Sequence, residues 1–100
     1  MTIIQGTNKP ITFVFANDVS FTDIKVSLNS YTKELKHWNK NDLVIEGNII
    51  QAPLTQEESL SFGQGKATLE VKWLDEDVTE FSNIIPVQIE ERKDKTILGG

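Results

Sequence analysis

One hundred residues with 38% apolar side chains and no cysteine suit a single domain, and they exclude disulfide staples and thiolate chemistry. Ten basic residues against fifteen acidic ones give a net charge of −5, so the basic face that nucleic-acid binding normally rests on is missing. No window approaches the roughly 18 apolar residues of a membrane helix, and the opening MTIIQGTNKP lacks the basic-then-apolar order of a secretory signal.

In chain order, Ile11, Phe13 and Phe15 alternate with Thr12, Val14 and Ala16 and predict a first strand. Pro10 precedes it, where a missing amide donor costs least. Ile24, Val26 and Leu28 alternate with Lys25, Ser27 and Asn29 in a second strand. A turn over 29–33 leads to a segment over 34–38 of poor period. Leu35 and Trp38 cannot point to one side of a regular strand, so a bulge or an edge position is expected. Segments 42–46 and 48–53 flank Gly47-Asn48, a two-residue connection with glycine first, which predicts a type II′ hairpin.

Thr55 and Glu58 then have the spacing of a capping box and predict a short helix over 55–62, stopped by Gly63 and Gly65. From Ala67 the apolar residues fall at alternate positions through Leu69, Val71 and Trp73, the pattern of a half-buried antiparallel strand. Residues 75–78 form the next hairpin tip. A last strand over 79–91 carries Phe81, Ile85, Val87 and Ile89 in one phase. Pro86 lies on the other phase and cannot donate to a ladder, which predicts an edge strand or a bulge around Ile84-Ile85. The domain is expected to span 1–91, with 92–100 a charged, flexible tail. Seven to eight short strands with regularly spaced turns predict an all-β, antiparallel sandwich with one short helical turn.

The residues offer no catalytic constellation, and neither catalytic residue, metal ligand nor cofactor is expected. The chain has a single histidine, His37, and no nucleophile-elbow glycine pattern surrounds any serine. Asp75, Glu76, Asp77 and Glu80 cluster at a hairpin tip, but the twelve-residue spacing of an EF-hand loop is missing. All the net acidity lies in the second half, where it disfavours DNA and anionic membranes as partners. Trp73 is in phase with the core positions. Trp38 is out of phase and, with Tyr31 and His37 nearby, is the aromatic expected at the surface. Pro86 marks an unpaired edge, and Ile97 and Leu98 end the tail with apolar side chains that a neighbour could cover. These six residues are the candidate interface.

The segments GTNKPITFVF (Gly6–Phe15), DIKVSL (Asp23–Leu28), ELKHW (Glu34–Trp38), PLTQEESLSF (Pro53–Phe62), GKATLEVKW (Gly65–Trp73) and VQIEERKDKTIL (Val87–Leu98) carry a family resemblance. In their order, the chain resembles small β-sandwich proteins of phage and prophage structural genes, closest to the N-terminal domain of baseplate upper proteins. The resemblance implies an immunoglobulin-like sandwich that serves as a tail or baseplate component of a virion, assembled in the bacterial host cytoplasm. Its partners would be other virion proteins or further copies of itself, with no nucleic acid, membrane or small-molecule ligand. The alternative is a carbohydrate- or cell-surface-binding module built on Trp38 and Tyr31.

Overall fold

A computed structural model describes residues 1–15, 21–82 and 84–99. Nine strands and one α-helix are present among them: β1 (Thr2–Ile4), β2 (Ile11–Val14), β3 (Asp23–Ser30), β4 (Glu34–Asn39), β5 (Val44–Glu46), β6 (Ile49–Ala52), α1 (Gln56–Ser61), β7 (Gly65–Asp75), β8 (Val78–Phe81) and β9 (Ile85–Glu90). Two sheets face each other. One has the order β1-β9-β7-β3-β4, with β8 also paired to β7; the other is β2-β6-β5. Every pairing is antiparallel except β1 with β9, which is parallel.

The core lies between the sheets and follows from period-2 patterning. Ile24, Val26 and Leu28 on β3 and Ala67, Leu69 and Val71 on β7 are buried, as are Ile11, Phe13, Ile50 and Ala52 from the facing sheet. Trp73 is half-buried and closes one end of this core, edge-on to Phe15 at 5.0 Å and to Phe21 at 6.4 Å between ring centroids. The β5–β6 hairpin has the expected two-residue loop, with Glu46 opposite Ile49 and Gly47 at φ 58°. Only the first loop residue takes a positive φ, which is the backbone signature of a type II′ turn.

Helix α1 carries the predicted capping box. Thr55 Oγ1 accepts from the Glu58 amide at 3.1 Å, and the Thr55 amide donates to Glu58 Oε1 at 2.9 Å. The helix stops differently from the expectation, because Phe62 leaves in extended backbone (φ −71°, ψ 130°) before either glycine is reached. Burial of the Phe62 side chain and a bond from Gln5 Nε2 to its carbonyl (2.5 Å) hold that exit.

Two irregularities alter the sequence reading. Between β3 and β4 the register shifts at Leu28/Asn29, with Leu28 opposite Lys36 and Asn29 opposite Glu34. Leu35 is the extra residue, so Leu35 and Trp38 can both pack on the core although three positions apart. The irregular segment is both bulged and at the edge of its sheet.

The second irregularity divides the predicted last strand. Lys72 faces Phe81 and Leu69 faces Ile85. Between those pairs β7 spans two residues while the opposite side spans three, 82–84. One extra residue reverses the alternation, and Phe81 turns to the outer face instead of the core. The predicted last strand is thus two strands, β8 and β9, and the edge assignment read from Pro86 is corrected: β9 lies between β1 and β7. Pro86 is tolerated because its missing donor would face away from β7. Gln88 donates to the Met1 carbonyl at 2.9 Å, so by strand alternation the Pro86 nitrogen also faces β1 and costs no bond to β7, while the Pro86 carbonyl accepts from the Met1 amino group at 3.4 Å.

Candidate functional site

The six residues singled out in the sequence do not assemble into one site. Tyr31 is fully exposed at the β3–β4 turn (100%). His37 sits on the outer face of β4, its Nδ1 2.5 Å from Glu34 Oε1, and Glu34 also lies 3.9 Å from Lys25. Pro86 is exposed on β9, which belongs to the opposite half of that sheet. Leu98 is tied to α1 by a reciprocal pair: Gln56 Nε2 donates to its carbonyl (2.7 Å) and its amide donates to Gln56 Oε1 (3.0 Å). Ile97 lies beside it along the same groove.

Trp38 requires a correction. It is the largest fully buried side chain, 1% exposed, and its indole N–H donates to the Pro53 carbonyl at 2.8 Å. The bulge at Leu35 turns it inward. Lys36, in phase with it, lies over the indole ring at 5.2 Å and forms an ion pair with Glu58 on α1. Partial burial pushes the Glu58 carboxyl up, but the Lys36 ammonium and the Thr55 amide outweigh it and hold the group below its ordinary 4.5.

Among the described residues four serine hydroxyls serve the backbone, the first being Ser30, whose Oγ donates to the Lys33 carbonyl at 3.1 Å. Ser59 Oγ donates to the Thr7 and Gln56 carbonyls, Ser61 Oγ to the Glu58 carbonyl, and Ser82 Oγ accepts from the Val71 amide. Among the described residues no group of three His, Cys, Asp or Glu side chains converges as a metal site.

The feature that stands apart is β8. It pairs with β7 on one side and, among the described residues, has no strand on the other. The Ser82 amide donates to the Val71 carbonyl at 2.8 Å. Alternation from that bond turns the backbones of Glu80 and Val78 toward β7, and those of Thr79 and Phe81 toward the open side. All four residues are exposed. Val78 (57%), Phe81 (56%) and, just beyond, Ile84 (64%) place three large apolar side chains along it. Sequence reading missed this edge because Phe81 shares parity with Ile85, Val87 and Ile89. Ser82-Asn83, a turn-prone pair inside an apolar run, is the signal that could have divided the strand.

No family model and no curated protein matches this chain. Among solved structures, CopC from Methylosinus trichosporium OB3b matches with a TM-score of 0.64 over 93% of this chain and 85% of that one, at 9% identity. The fold is an immunoglobulin-like β-sandwich.

That likeness corrects the expectation drawn from phage and prophage proteins. The match among solved structures is to CopC and not to a virion component, and nothing among the comparisons supports a tail or baseplate role. The carbohydrate-binding alternative loses one of its two aromatics, since an indole enclosed by the core offers no face to a sugar, while Tyr31 stays exposed.

Proposed function

We propose that this domain is a non-enzymatic binding module that takes an extended polypeptide segment onto the open side of β8. The observation that carries this reading is the combination of free backbone groups and apolar side chains on one strand. Thr79 and Phe81 direct N–H and C=O groups away from β7, while Val78, Phe81 and Ile84 offer apolar surface beside them. Strand addition uses both features: main-chain bonds give affinity and alternate side chains give selectivity. Exposed edges also invite unwanted pairing, which proteins blunt with short strands, charges, proline or a covering loop; on the four residues of β8 the charge is Glu80. Residues 78–81 contain neither lysine nor proline.

The test uses a short, soluble peptide of alternating valine and threonine, with amide shifts followed by NMR. Binding at this edge should move the Thr79 and Phe81 amides first. Thr79→Pro should abolish the response, because it removes an outward donor and leaves the β7-facing amides intact. Shifts confined to another edge, or none at millimolar peptide, would overturn the reading.

A further inference from the structure

The surroundings of β8 are charged in one sense. Asp75, Glu76 and Asp77 form its hairpin end and Glu80 lies within it. Among the described residues no ion pair neutralises any of the four; the pairs present involve Glu34 and Glu58. Lys72 is the cation facing this edge, and it is placed on one side only, over the Phe81 ring at 5.5 Å. Register separates the two sides. Thr79 and Phe81 share the outer face with Lys72 and Leu74, whereas Val78 and Glu80 lie in phase with Asp75 and Trp73.

Resting on the reading of β8 as a strand-accepting edge, we infer that its partner is a basic extended segment that alternates apolar and lysine or arginine side chains. The apolar set lies on the Phe81 face, where a second cation would meet Lys72. The basic set lies on the Glu80 face and reaches the acids of the hairpin tip. An acidic segment would bring like charges together at four positions, so the edge selects against this protein's own acidic strands as well as for a basic partner.

The experiment compares three peptides of equal length: valine–threonine, valine–lysine and valine–glutamate alternations. At low ionic strength the lysine peptide should bind the wild-type protein about tenfold more tightly than the threonine peptide, and the advantage should fade as salt shortens the Debye length. The glutamate peptide should bind more weakly than either. The double variant Asp77→Asn, Glu80→Gln should bind the threonine peptide as before and lose most of the lysine advantage. Equal binding of the threonine and lysine peptides to the wild type would overturn the charge inference and leave the strand-accepting edge standing. If none of the three binds at β8, both readings fall together.

Discussion

Trp38 and Glu58 show how much single side chains carry in this domain. The Trp38 indole fills the core at the edge strand and satisfies the Pro53 carbonyl, so Trp38→Ala leaves a large void and an unpaired acceptor. The expected cost is about 3–5 kcal/mol, measured by urea unfolding. Trp73→Ala should cost less, because Trp73 is only half-buried at the end of the core. An equal or reversed order would contradict the burial of the two rings. Glu58 sets a pH dependence. Its folded carboxyl lies below 4.5, so its contribution is fully present above that pH and is lost as acid takes the protein down through the lowered value. Glu58→Gln keeps the capping acceptor and removes the charge. The acid limb of a stability–pH profile should therefore flatten, with a cost of about 1 kcal/mol at neutral pH for a half-buried surface pair. The capping box was legible because its two residues are three apart and need nothing else. Trp38 was not, because its direction depends on the extra residue, Leu35, that its own strand carries against β3.

At the scale of elements, the hairpins and the long strand could be read from the chain, since β5–β6 and β7 are set by local turn chemistry and local alternation. β1 could not. It is three residues long and its partner, β9, lies at the far end of the sequence. Likewise the division of β8 from β9 follows from β7, which presents two residues against three. The β7–β8 hairpin carries its own cost. Glu76 adopts φ 55°, a left-handed backbone that a side chain disfavours. Glu76→Gly should relieve about 1–2 kcal/mol of steric cost and give back some of it, about 0.5–1 kcal/mol, in chain entropy. A net gain of about 0–1.5 kcal/mol is expected in thermal unfolding, and a loss would mean that the Glu76 side chain makes a stabilising contact.

For the whole molecule, surface area and topology bear on what the domain can do. The chain exposes 6596 Å², against about 5,700 Å² for an ordinary folded monomer of its mass. The exposed tail and the four exposed residues of β8 contribute to that excess. The fold class was readable from strand count and turn spacing, whereas the functional edge was not, because an unpaired strand is a property of sheet order and not of any segment. The likeness to CopC at 9% identity makes the same point: one sandwich accommodates sequences with little in common.

The parallel pairing of β1 with β9 also fixes how the domain responds to tension. Thr2, Ile3 and Ile4 lie beside Gln88, Ile89 and Glu90 and run in the same direction. A force drawn through residues 1 and 91 therefore slides the two strands past each other lengthwise, and all three rungs bear the load together. An antiparallel hairpin such as β7–β8, pulled from its open end, would instead unzip rung by rung. Stretched in a force ramp through residues 1 and 91, the domain should resist up to a single abrupt rupture, while a staircase of small yields would show that the terminal pairing carries little of the load.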